Sequence, residues 1–123
     1  MKAAMRPGKK ILCAVALFGL TMATAPLTPA NAGEVTSKIV RLLIYDQAMV
    51  AYVFPEADMP NKPPCHTSAN YYSFSLTRPA AKEYLAGLLA AQLSGVQTRL
   101  VGKGVCTDLS SSETLDYFNL DTP

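Results

Sequence analysis

The sequence predicts a small α+β domain with one helix and the element order β-β-β-α-β-β. Three observations predict it. Runs rich in β-branched and aromatic residues recur at 35–45, 49–54, 71–76, 96–101 and 115–120. A single segment, 79–93, instead spaces its apolar residues at the helical period. Proline, glycine and polar residues punctuate the intervals, and 123 residues leave room for one small core.

The first 32 residues stand apart. Lys2, Arg6, Lys9 and Lys10 form a positive start, an uncharged apolar run extends from Ile11 to Ala25, and Ala30-Asn31-Ala32 supplies small residues where a signal peptidase reads them. Fifteen residues of helix cover roughly 22 Å, short of the ~30 Å hydrocarbon core, which favours a cleaved signal over an anchor. Cleavage is expected before Gly33. The chain then divides into 1–32, a signal peptide, and 33–123, one domain that is secreted or periplasmic, with no membrane span after cleavage.

Val35 to Tyr45 reads as a long first strand, Asp46-Gln47 as a turn, and Met49 to Phe54 as the second strand of a hairpin. Pro55, Pro60, Pro63 and Pro64 withhold ladder donors, so 55–70 is a loop, and Tyr71 to Leu76 is the third strand. The helix starts near Pro79, which suits a first turn, and stops at Ser94-Gly95. Its expected core face is Ala81, Tyr84, Leu85, Leu88, Leu89 and Leu93. The opposite face carries Ala86, Gly87, Ala90 and Ala91. Helix propensity alone accounts for the alanines; close approach of another backbone, such as the same helix in a neighbouring protomer, is the alternative. Val96 to Val101 is the fourth strand. Gly102 and Gly104 permit a bend, 107–114 is a polar loop, and Leu115 to Leu120 closes the domain.

Composition narrows the function. The precursor's net charge is +2, but four of its eleven basic residues and none of its nine acidic ones lie in the signal, leaving seven against nine, a charge of −2. Lys38, Arg41, Lys62, Arg78, Lys82, Arg99 and Lys103 are scattered, so no phosphate-tracking surface and no nucleic-acid partner are expected. Cys65 and Cys106 survive processing, and in an oxidising compartment their simplest fate is a disulfide with each other. With no C-x-x-C spacing and His66 the lone imidazole, no metal set, redox pair or cofactor is expected. Asp46, Glu56, Asp58, Glu83, Asp108 and Glu113 read as solvated charges, and no catalytic constellation is predicted.

Binding chemistry is better supplied. Asn70, Tyr71, Tyr72 and Ser73 place an amide and hydroxyls beside stackable rings, the combination with which proteins hold a pyranose. The competing reading is that alternate tyrosines simply pack, since one of Tyr71 and Tyr72 must face inward on a regular strand.

The path of strand pair, cysteine, strand Tyr71-Tyr72-Ser73-Phe74-Ser75-Leu76, helix Tyr84 to Ser94, strand from Val96 and second cysteine resembles a family of small exported bacterial proteins. They are OB-fold-like domains related to the cell-binding B subunits of pentameric toxins of the subtilase and pertussis type. The resemblance implies a five-stranded OB-like barrel with one helix, a single disulfide, and homo-oligomeric rings, pentamers, that recognise a glycan or cell-surface receptor. In such rings the helices line a pore, which would use the face Ala86, Gly87, Ala90 and Ala91. A monomeric envelope domain that presents the 55–64 loop to a protein, as an inhibitor or interaction module, is the alternative.

Overall fold

The computed structural model describes residues 32–120; apart from Ala32, the expected signal segment lies outside them. The strands are β1 (Glu34–Ser37), β2 (Ile39–Tyr45), β3 (Val50–Pro55), β4 (Tyr72–Ser75), β5 (Thr98–Gly102) and β6 (Leu115–Leu120). The helix α1 spans Ala81–Ser94. The α+β class thus holds, with one α-helix among the described residues. No helix of the described residues is long and apolar enough to cross a membrane.

The predicted single long first strand is two. β1 pairs antiparallel with β5, Glu34 opposite Val101, whereas β2 pairs with β3, Leu43 opposite Tyr52. The chain changes sheets at Lys38, and a register shift between Ile39 and Arg41 adds a bulge that leaves Val40 and Arg41 both exposed. The described residues therefore form two three-stranded antiparallel sheets, β1-β5-β6 and β2-β3-β4, and not one closed five-stranded barrel. Besides the chain's passage from β1 to β2 at Lys38, an isolated parallel bridge between Ser73 and Thr114 links them.

The core lies between the sheets and α1. Val35, Ile39, Ala51, Val53, Tyr72, Phe74, Leu88, Leu100 and Leu115 are buried there. The helix keeps most of the expected face inward: Ala81 and Leu88 are buried and Tyr84 and Leu85 pack against the core, but Leu89 and Leu93 are exposed, the latter at 79%, and Ala91 is buried in their stead. Gly87 packs against β6, where a Cβ would lie 2.6 Å from Phe118 Cζ. Gly95 ends the helix in the left-handed region, its N–H donating to the Ala91 carbonyl.

The disulfide Cys65–Cys106 ties the end of the proline-rich loop to the segment after β5. That segment is less solvated than its polarity suggested. Ser112, Glu113 and Thr114 are all fully buried, and Thr114 Oγ1 accepts the N–H groups of Thr107 and Asp108. The Asp108 carboxylate accepts the Ser75 N–H at 2.8 Å and pairs with Arg78, whose guanidinium also donates to the Leu115 carbonyl.

Candidate functional site

Two surfaces and one buried centre carry the chemistry. The first surface is the outer face of β2-β3-β4. Tyr52 and Phe54 alternate with the buried Ala51, Val53 and Pro55, so their rings emerge on the side away from the core. Register sets Arg41 opposite Phe54 and Leu43 opposite Tyr52. Tyr71, just ahead of β4, inserts its ring between them, 4.8 Å from Tyr52 and 5.0 Å from Phe54, both tilted. Tyr45 extends the row, stacked 6.4 Å from Tyr52, and the Arg41 guanidinium lies 3.9 Å over the Phe54 ring. The result is a strip of four aromatic rings with a cation at one end, a geometry suited to stacking and to hydrogen bonds at its rim. The crowding of rings and the burial they share push the Tyr52 phenol upward, burial first and the neighbouring Tyr71 and Tyr45 after it.

The four residues singled out from sequence divide. Tyr71 belongs to the strip. Tyr72 is fully buried in the core, opposite Val53, and Ser73, also fully buried, lies opposite Tyr52 on the other face of the sheet, beneath the strip. Asn70 spends its amide internally: Oδ1 accepts the Met59 N–H at 2.7 Å and Nδ2 donates to the Ala57 carbonyl at 2.9 Å. With Met59 itself buried, the 55–64 loop is anchored to the domain. Tyr45, Tyr52, Phe54 and Arg41 were not singled out from sequence as a set. The signal that could have found them is the alternation Tyr52-Val53-Phe54 combined with hairpin register.

The second surface lies between α1 and β2. Leu42, Ile44, Leu85, Ala86, Leu89 and Gln92 line a groove of about 380 Å³. Ile44 is 60% exposed, and Val40 and Leu93 extend the apolar area. β2 is an edge strand, and Gln92 covers part of that edge by donating to the Val40 carbonyl at 3.3 Å. Of the four small helix residues, Ala86 and Ala90 are exposed on this side, whereas Ala91 is 1% exposed in the core and Gly87 lies beneath Phe118. The small residues therefore do not form one outward face.

No family model matches the chain, no curated protein matches its sequence, and no solved structure matches its fold.

The buried centre is Glu113, expected to be solvated and found at 0% exposure. Its Oε1 accepts the N–H groups of Gly33 at 2.8 Å and Gly104 at 2.9 Å. Gly102 makes room for it, since a Cβ there would meet the Glu113 carboxyl. The Glu113 N–H donates to His66 Nδ1 at 3.0 Å, and His66 Nε2 lies 2.8 Å from the Ala69 carbonyl. These two contacts fit a neutral imidazole with its proton on Nε2. Burial pushes the Glu113 carboxyl above its ordinary value, against the opposing pull of the Gly33 and Gly104 N–H groups. Burial, with the Glu113 charge second, also pushes the Tyr72 phenol far upward. His66 and Glu113 are thus enclosed together, and they do not line an open cleft.

Proposed function

We propose that the chain is an exported, non-enzymatic binding module that recognises glycans through the strip Tyr45, Tyr52, Tyr71 and Phe54. The observation that carries the reading is the contact of Tyr71 with both Tyr52 and Phe54 on the outer sheet face. Adjacent rings offer the apolar side of a pyranose a platform larger than one residue provides, and Arg41 at the end of the row offers donors to the sugar's hydroxyls or acid groups. The disulfide agrees with delivery to an oxidising compartment, the periplasm or the exterior.

The OB-like, toxin B-subunit-like assignment belongs to the same proposal. It is supported by the consecutive strands β1 and β2 passing from one sheet to the other at Lys38, by β1 pairing with β5 and β5 with β6, and by the parallel Ser73–Thr114 bridge between the two sheets. Self-association into a ring would use the α1–β2 groove, whose exposed Ile44, Leu89 and Leu93 form the apolar area a second copy would cover.

Glycan-array binding of residues 33–123, beside a Tyr52→Ala/Tyr71→Ala variant and with oligomeric mass measured in parallel, tests the reading. Saccharide binding that the variant loses while keeping its circular dichroism supports it. An oligomer that binds no saccharide removes it.

A further inference from the structure

Glu113 is a fully buried carboxyl on which two backbone N–H groups converge at one oxygen, Oε1. Its other oxygen, Oε2, is buried without a hydrogen-bond partner among the described residues. The side-chain ion pairs of this region, Arg78–Asp108 and Arg99–Glu34, leave Glu113 out. His66 accepts the Glu113 N–H and so offers it a neutral ring. Among the described residues this carboxyl has donors but no cationic side chain paired with it, a costly arrangement for its ionised form.

The nearest donor is the backbone nitrogen of Gly33. Oε1 lies 2.8 Å from that nitrogen, and Oε2 lies 2.6 Å from where a Cβ on Gly33 would stand, so both oxygens border this residue. Gly33 is held in place from its other side too, its carbonyl accepting the Gly102 N–H at 2.7 Å. Gly33 is also the residue that the small-residue pattern Ala30-Asn31-Ala32 puts first in the processed chain.

We propose that Glu113 is the binding site for the chain's own new amino terminus, an α-ammonium on Gly33 that pairs with the buried carboxylate once the signal is removed. The chemistry is hydrolysis by a signal-peptidase-type endopeptidase. Water breaks the Ala32–Gly33 amide, its oxygen joins the Ala32 carboxylate, and the freed amine stays on Gly33 and is protonated at neutral pH. One amide N–H becomes an ammonium with three donors, enough to keep the Oε1 bond and reach Oε2. Before cleavage the same nitrogen donates a single neutral hydrogen bond, and Ala32 is exposed, so the uncleaved chain also fits the fold. Processing thereby supplies the counter-charge and tightens the junction of the amino terminus, β5 and the 105–114 segment. The proposal rests on the expectation that the signal ends at Ala32 and is independent of glycan recognition.

The test compares a chain beginning at Gly33 with one beginning at Ala32, each with and without Glu113→Gln, and adds the intact mass of the protein exported from its full precursor. The expected result is an exported product beginning at Gly33, and a Tm for the Gly33 chain higher by roughly 5 °C or more, a gain that Glu113→Gln abolishes. Reactivity toward an amine-directed acylating reagent gives a second measure that needs no variant to fold. The α-amine of Gly33 should label at least ~10-fold more slowly in the native protein than that of the Ala32 chain, and equally fast in urea. Equal Tm and equal labelling of the two chains overturn the ion pair. An exported product beginning elsewhere overturns the processing step alone, because the engineered Gly33 chain still measures the pair.

Discussion

The ring of Phe118 occupies the space that a side chain on Gly87 would need, its Cζ standing 2.6 Å from the position of a Cβ there. A glycine in mid-helix costs about 1 kcal/mol relative to alanine, so its presence in α1 reflects this approach of β6. The same ring meets Tyr84 edge-on at 5.4 Å, and the Tyr84 hydroxyl donates to the Asp116 carbonyl, so helix and strand are joined at three adjacent points.

Gly87→Val should therefore destabilise the domain by about 1–3 kcal/mol through overpacking against Phe118. Urea denaturation followed by tyrosine fluorescence measures this directly, the chain having no tryptophan. Unchanged stability would mean that β6 can move aside.

Asn70→Ala should free the 55–64 loop. Two hydrogen bonds, from Met59 N–H and to the Ala57 carbonyl, are lost together, for about 1–3 kcal/mol. Hydrogen exchange at the Met59 amide should accelerate at least ~10-fold, and by more than the loss of global stability accelerates core amides such as that of Val53. Exchange that stays slow at Met59 would show the loop to be held by its buried side chain instead.

A third prediction concerns pH, in a chain that retains Ala32 so that Gly33 is amide-linked. Burial raises the Glu113 carboxyl above 4.5, so between 4.5 and its raised folded value the native state binds more protons than the unfolded one. Stability from this group is complete below that interval and is lost as pH rises through it. His66 and Tyr72 face this carboxyl, and Glu113→Gln should flatten the descent. Tm against pH for the two proteins decides it; parallel curves would sink the assignment.

Reducing the Cys65–Cys106 bond should cost about 4 kcal/mol, the chain-entropy value for a closed loop of this separation, 41 residues. Against a total of roughly 5–10 kcal/mol for a domain this size, the reduced form should have a urea midpoint near half the oxidised one. A midpoint unaffected by reductant would place the stability elsewhere.

The strands were legible because β-branched runs bounded by proline and glycine suit few other structures. The split of the first strand was not. Ser37, Lys38 and Ile39 keep the alternation of an unbroken strand, buried, exposed, buried, while the pairing partner changes from β5 to β3. The edge of the helix's core face was hidden for a related reason: Ala81, Tyr84, Leu85 and Leu88 face inward as their spacing implies, but α1 is apolar over most of its circumference, so the pattern does not show that Ala91 is buried and Leu89 and Leu93 exposed. At the candidate site, Tyr71 could be read from its neighbours, but its partners Tyr52 and Phe54 come from a different strand and need register. Glu113 was hidden most thoroughly, because what buries it is the absence of side chains at Gly33 and Gly102, far apart in sequence.

The division of residues 34–45 between two sheets also sets an order of assembly. Everything β2 needs, β3 and β4, follows within the next few dozen residues, so that sheet can form as soon as the chain reaches Ser75. β1 comes earlier in the chain yet must wait for β5, Glu34 meeting Val101 only when nearly all of the domain has been released. A polypeptide threaded amino terminus first through a narrow pore would keep its leading strand unpaired throughout the passage, and would acquire its second sheet, its disulfide and the enclosure of Glu113 only on the far side.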